Sequence, residues 1–392
     1  MLWHRWFGVL GGLWLLVLAL TGSLLVFYEE LDHALNPELF AAAPLAAGQP
    51  PAIAAATRQA LARWPGAMVA YVQLPAANGS SLVLSLKDRA DAPGAIGPDG
   101  REVFADPRTG MLLGSRVYGA AVLDRAHIMG FVYRLHTELH GGATLAWLLG
   151  VLALLWLIDH GVALPLALRT VRRWPAMFRL RAGARGFRRQ FDLHRAAALW
   201  LLPVTAMSAF SGAYFNLNDE FRAAISLFSR PTAPAAAARP ALPRPLYAPP
   251  ISAQLALARV AALPGAPRAS GLGFDAAKGL WTITVQDRRD LADYGMRRLV
   301  MDARDGRIVG DFHPVSGSAA DVVMAWQFPL HSGKALGWPG RLIILLAGGA
   351  TATLSITGYA LWWRKRTARR ATHRQRPAPL QPIPGQGGLL AE

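Results

Sequence analysis

The histidines are the residues of this chain best suited to chemistry. His4 precedes Arg5 at the foot of an apolar run ending near Thr21-Gly22, and His194 precedes Arg195 at the foot of another with Ser211-Gly212 near its end. Two further contexts match each other, Arg134-Leu135-His136 and Pro329-Leu330-His331, each ahead of another apolar run. His127, His140 and His160 also stand near the ends of such runs. A neutral imidazole is the commonest protein ligand for a metal. Two imidazoles brought to one depth by two helices can take a single metal atom between them from opposite sides. Ionisable groups at the edge of an apolar run are costly and call for a reason. The plainer reason is that an interfacial His-Arg pair anchors a helix among lipid headgroups.

The elements that must carry these histidines are membrane spans. Four stretches, residues 7–28, 143–164, 196–215 and 342–363, are about as long as the roughly 20 helical residues needed to cross about 30 Å of hydrocarbon. The chain has 392 residues, 53% hydrophobic and only 17% charged, which is the composition of an integral membrane protein. Arginines crowd the link between the second and third stretches, from Arg169, Arg172 and Arg173 to Arg188 and Arg189, and Arg364, Lys365, Arg366, Arg369 and Arg370 follow the fourth. Basic residues in short loops are retained on the cytoplasmic side, so that link and both termini are expected there. The net charge of +17 is largely this bias, and no nucleic-acid partner is expected. The first run is longer than a cleaved signal's apolar core, and the nearest Ala-x-Ala, at residues 41–43, lies far beyond it; an uncleaved anchor is expected. The absence of Cys excludes iron–sulfur clusters, thiolate-ligated or covalent c-type haem and dithiol exchange.

With His4 set on His194, Gly22 falls on Gly212 and Glu30 on Glu220 without a gap. The echo continues past the spans. Helix-like residues 53–64, strand-like 69–74 and 82–86, and a strand, Asp106-Pro107-Arg108-Thr109-Gly110 turn and strand recur as residues 251–262, 281–285 and a strand, Asp302-Ala303-Arg304-Asp305-Gly306 turn and strand. In both turns Asp caps and Gly supplies positive φ. The expected fold is an α-helical integral membrane protein with four transmembrane helices in two parallel repeats and two small periplasmic α+β domains. Residues 1–30 form the first span, 31–125 the first module, 126–168 the second span with a periplasmic lead-in, and 169–193 the basic loop. Residues 194–216 form the third span, 217–330 the second module, 331–366 the fourth span, and 367–392 a disordered cytoplasmic tail. Sites are expected between the halves.

The His-Arg-Trp start, Thr21-Gly22, Glu29-Glu30, the Asp-x-x-Thr-Gly turn, and Leu330-His331-Ser332-Gly333 followed by Thr357-Gly358-Tyr359-Ala360-Leu361-Trp362-Trp363-Arg364-Lys365 resemble the PepSY-associated transmembrane helix family. These are iron-regulated bacterial inner-membrane proteins that include ferric-siderophore reductases. The resemblance runs to about residue 366; no single motif is specific, but their order is. It implies two periplasmic PepSY-like modules and b-type haem on span-end histidines.

Haem iron in an electron carrier is well served by two neutral imidazoles, and the repeat supplies two such pairs: His4 with His194 at the cytoplasmic edge, and His136 with His331 at the periplasmic edge. Two haems b would divide the barrier into two shorter electron transfers. Alternatives stay open within each pair. His140, four residues after His136, can share its helical face and meet His331 instead. His160, after Asp159 and where the family pattern has a small residue before Gly, competes at the cytoplasmic edge as a ligand or proton relay. Electrons would run from a cytoplasmic or quinol donor to a ferric siderophore or other periplasmic acceptor, held by Arg125, Arg134, Gln327 and Lys334, which could equally bind lipid phosphates. The competing function is a periplasmic PepSY-type binding or regulatory protein tethered by its spans. A transporter ranks third, because the span centres hold little beyond Thr21, Ser23, Thr205, Ser208, Thr353, Ser355 and Thr357. No P-loop, dinucleotide fingerprint or His-Glu-x-x-His is present.

Overall fold

The computed structural model describes residues 2–46, 48–75, 80–97, 99–168 and 174–374. Arg169, Arg172, Arg173 and the tail from residue 375 lie outside the described residues. In chain order the first half holds α1 (Leu2–Leu25), α2 (Tyr28–Leu35), α3 (Pro37–Phe40), α4 (Ile53–Arg63), β1 (Ala67–Gln73), β2 (Leu82–Asp88), β3 (Arg101–Ala105), β4 (Leu112–Val117), α5 (Ile128–Glu138) and α6 (Gly142–Ala167). After α7 (Trp174–Met177) the order recurs. It runs α8 (Gly186–Trp200), α9 (Leu202–Asn216), α10 (Asn218–Ile225), α11 (Ala253–Ala261), β5 (Ala269–Asp275), β6 (Leu280–Val285), β7 (Arg297–Asp302), β8 (Ile308–Phe312), α12 (Ala319–His331) and α13 (Gly337–Arg374).

Among the described residues three helices, α1, α6 and α13, are long and apolar enough to cross a membrane. The expected third span is not one straight helix. It is the pair α8 and α9, bent by 68°. The cause is local: Leu201 leaves helical geometry at φ −107°, ψ 10°, and Pro203, in the first turn of α9, has no N–H with which to continue the helical hydrogen bonds of α8. The expected disordered tail also starts too early, since α13 continues as helix through Arg374. Its run of Arg, Lys, Thr and Ala contains no Gly or Pro to stop it.

The helices pair across the halves, α1 on α13 and α6 on α9. Small residues make the close fit possible: α1 buries Gly11, Gly12, Ala19 and Thr21, and α13 buries Ala347, Thr351, Ala352 and Ser355.

The two expected modules are not separate. Their strands form one eight-stranded antiparallel sheet in the order β4-β3-β2-β1-β5-β6-β7-β8. The halves join where Tyr71 pairs with Gly273, Val72 with Leu272 and Gln73 with Gly271. Each half alone would leave its first strand as an open edge, and joining the two edges satisfies both rows of backbone groups. One main core spans both halves. Val72, Leu84, Leu272, Ile283, Leu299 and Met301 lie under α4 and α11, which contribute Ile53, Ala56, Ala60, Ala256 and Val260. Burying each of the larger side chains contributes about 2 kcal/mol. The two turns form as expected: Asp106 accepts from the N–H groups of Arg108 and Thr109, and Asp302 from that of Arg304, with Gly110 and Gly306 at φ 74° and 78°.

The sheet domain is tied to the helices by a buried ion network. Arg116 of β4 donates from both terminal nitrogens to Asp32 of α2 at 2.7 Å and from Nε to Glu102 at 2.7 Å. Two lead-in helices, α5 and α12, then carry the chain from the sheet back to the bundle. The second starts at a capping box in which Ser318 and Asp321 satisfy each other's backbone N–H.

Candidate functional site

Two pairs of imidazoles stand at opposite ends of the bundle. At the sheet end, His136 near the close of α5 faces His331, the last residue of α12; their ring centres are 6.2 Å apart with the planes at 61°. At the far end, His4 in the first turn of α1 faces His194 of α8, also at 6.2 Å, with the planes at 67°. Two imidazoles bonded at about 2.0 Å to one metal atom between them hold their ring centres roughly 6 Å apart.

The hydrogen bonds assign the tautomers. His136 Nδ1 lies 3.0 Å from Thr21 Oγ1, His331 Nδ1 2.7 Å from Ser211 Oγ, and His194 Nδ1 2.9 Å from Thr357 Oγ1. Each hydroxyl donates its own hydrogen one turn back along its helix, Thr21 to the carbonyl of Val17, Ser211 to that of Met207 and Thr357 to that of Thr353. Each hydroxyl oxygen therefore accepts, and the imidazole donates from Nδ1. His4 Nδ1 lies 2.9 Å from Asp159 Oδ2, a carboxylate that can only accept. In all four rings the proton sits on Nδ1 and the lone pair on Nε2, the form of a metal-ligating histidine whose outer nitrogen is fixed by a neighbour.

The backbone makes room for this arrangement. A Cβ on Gly22 would stand 2.9 Å from His136 Cε1, closer than side-chain contacts permit. At the far end a Cβ on Gly358, next to Thr357, would make only an ordinary contact, 3.5 Å from His194 Cε1. Beside the far-end pair, an open cavity of about 400 Å³ is lined by Gln190, Tyr359, Ala360, Trp362, Trp363 and Arg364. Gln190 stands one turn from His194 on α8.

The competitors lie elsewhere. His140 is not on the face of His136, because α5 stops at Glu138 and both Leu139 and His140 take left-handed backbone, φ 49° and 54°. Its Nε2 donates to the carbonyl of Phe131 at 2.9 Å and its ring packs on that side chain, 4.5 Å between centres. His160 has both nitrogens engaged, Nδ1 with the carbonyl of Trp156 at 2.7 Å and Nε2 with Thr205 Oγ1 at 2.9 Å. His127 pairs with Asp124 at 2.7 Å.

The groups expected to hold an anionic acceptor are committed. Arg125 pairs with Glu38, Arg134 with Asp99 and Glu138, and Lys334 with Glu29, while Gln327 donates to the carbonyl of Val323. Each cation has a carboxylate within 3.4 Å, so none presents an uncompensated charge to an anion.

Sequence reasoning missed the residues that hold the rings. Thr21-Gly22, Ser211-Gly212 and Thr357-Gly358 stand out in the sequence as motifs, but nothing local assigns their hydroxyls to the rings. The available signal was the recurrence itself, a hydroxyl before Gly at residues 21, 211 and 357. In the corresponding part of the second span His160 precedes Gly161, and the neighbouring Asp159 takes over the role.

Among the described residues no cluster of three or more His, Asp or Glu is able to hold a metal ion. Each site offers two imidazoles, and a bare zinc ion needs about four protein or solvent ligands. No curated protein matches the chain. The family model for the PepSY-associated TM region matches residues 1–365, and the chain belongs to that family.

Proposed function

We propose that the protein is an inner-membrane electron carrier that holds two b-type haems, one on His4 and His194 and one on His136 and His331. It passes electrons from a cytoplasmic or quinol donor to a periplasmic ferric chelate such as a ferric siderophore. The observation that carries this is the 6.2 Å spacing in both pairs, with every Nδ1 proton already committed to another group. The donor set fits: two axial imidazoles and no further ligand suit a metal whose other four positions are filled by a macrocycle. When bound, haem supplies one-electron carriage. The four histidines would hold the two haems, and Thr21, Ser211, Thr357 and Asp159 would fix the orientation of the rings through their Nδ1 atoms. Pairs at opposite ends of the bundle divide a barrier of roughly 30 Å into two shorter intervals.

Taking α8 and α9 as one bent span gives four crossings. Arg364, Lys365, Arg366, Arg369 and Arg370 lie exposed beyond the apolar part of α13, which favours a cytoplasmic far end and a periplasmic sheet end. The acceptor is inferred from the family resemblance and from chemistry, because Fe²⁺ binds hard oxygen ligands more weakly than Fe³⁺ and is released on reduction. The test is spectroscopic. Detergent-purified protein should show low-spin α bands on dithionite reduction and be reoxidised anaerobically by a ferric hydroxamate or catecholate, with Fe²⁺ trapped by a ferrous chelator. A colourless, monodisperse protein that takes up no haem would replace this function with a tethered regulatory one. Rapid oxidation by a quinone but by no ferric chelate would make it a quinone-linked carrier.

A further inference from the structure

The four rings are not held alike. Three donate to neutral hydroxyls, but His4 donates to a carboxylate, Asp159 Oδ2, at 2.9 Å. Asp159 is only 6% exposed, and its other oxygen, Oδ1, is buried without a hydrogen-bond partner. Among the described residues its one ion pair is with His4, and no Arg or Lys nitrogen stands within 4 Å of its carboxylate. The basic residue beside the other ring, Arg195, has its own carboxylate in Asp192 at 3.3 Å. A buried carboxylate with an unsatisfied oxygen is costly unless positive charge lies close by. The charge available to it is that of the imidazole and whatever the imidazole binds.

Resting on the di-haem function proposed above, we infer that Asp159 is a positioning residue that makes the far-end site the lower in reduction potential. A carboxylate partner raises the basicity of a ligating imidazole. A ferric haem carries one more positive charge than a ferrous one, so a fixed anion behind the ligand stabilises the oxidised form more than the reduced form. A hydroxyl, being neutral, does this far less. The difference in partners thus orders the two sites, lower at the far end and higher at the sheet end. One electron leaving the first oxidises it and reduces the second, with no bond made or broken, and the outward transfer runs downhill.

The experiment is an anaerobic redox titration of the full chain in detergent, followed by haem absorbance. His331→Ala should leave only the lower midpoint and His4→Ala only the higher. Asp159→Asn keeps the shape and removes the charge. It should raise the lower midpoint, by about a tenfold change in the oxidised-to-reduced ratio at fixed potential (about 59 mV for one electron), and leave the higher one in place. Ser211→Asp puts a carboxylate behind His331 and should lower the higher midpoint, which decides the matter even if Asp159→Asn loses its haem. The inference is overturned if both haems are retained in Asp159→Asn with unchanged midpoints, or if the His331→Ala protein keeps the higher one. Wild-type protein that binds no haem overturns the di-haem function itself, a result distinct from either.

Discussion

The two ends of the bundle reach the same ring spacing on different supports. At the sheet end, both histidines ride on short lead-in helices, α5 and α12, and their Nδ1 acceptors are hydroxyls on α1 and α9. At the far end, the rings belong to α1 and α8, and the acceptors, Asp159 and Thr357, lie on α6 and α13. Each ring is thus held by a residue from a different helix, and each site needs four helices in register. The repeat preserves the distance between rings, while the residue behind each ring is free to vary from hydroxyl to carboxylate. That freedom is where the two sites can acquire different properties without changing shape.

The strongest way to break this comparison is to remove a ring. His136→Ala or His331→Ala should remove one haem, and His4→Ala or His194→Ala the other, read as loss of about half the low-spin absorbance in each case. His140→Ala and His160→Ala should leave both. Loss of a haem in either of those two proteins would mean that the pairs are drawn wrongly.

A smaller effect tests the glycines that the repeat treats as equivalent. Gly22→Ala should push His136 off its position, because the new Cβ would lie 2.9 Å from the ring, and should weaken the sheet-end haem about 10- to 100-fold. Gly212→Ala should be tolerated, since its Cβ would meet only Ala153 at 3.6 Å. Haem retention against apomyoglobin distinguishes the two; equal losses would mean that both glycines serve the ring.

Next in size are the hydroxyls. Thr21→Val and Ser211→Ala each leave a Nδ1–H without its acceptor, a loss of about 1–3 kcal/mol. Both should speed haem loss from the sheet end and spare the far end, and Thr357→Val should do the reverse.

The smallest contrast lies in the sheet. A hydrogen bond from Arg304, with burial opposing it, holds the Asp302 carboxyl down to about 2. A depressed folded value means that this contribution is fully present above the unfolded range near 3.9 and is lost as pH falls toward about 2. Its size is about 1 kcal/mol once solvent screening at the exposed Arg304 is allowed for. Thermal melts of wild type and Arg304→Ala should therefore differ at pH 5 and converge near pH 2. A difference that persists at pH 2 would assign the effect to packing.

Much of the site was legible in the sequence because its signals are local. Apolar runs long enough to span announce themselves by composition, and turns such as Asp106 to Gly110 by the few residues able to form them. The recurrence of His-Arg and Leu-His selected four rings from the ten histidines of the chain, and the structure brings those four together in the expected pairs. Spacing misled where a helix ended early: His140 is four residues from His136, but the left-handed Leu139 lies between them. Pro203 is a local signal for the bend between α8 and α9, but the apolar run continues through it and reads as one span.

What the sequence by itself determined was therefore the set of elements, their order, their repetition and the residue types at their ends. Only the tertiary structure decided how those elements meet. Joining β1 to β5 is a choice among open edges, and the alternating pattern of a strand does not name its partner. The acceptor behind each ring depends on the rotation and depth of a helix far away in the chain, so that Asp159 meets His4 rather than its neighbour His160. Hydrogen bonds of this kind act over about 3 Å, and packing alone brings residues so distant in sequence within that range.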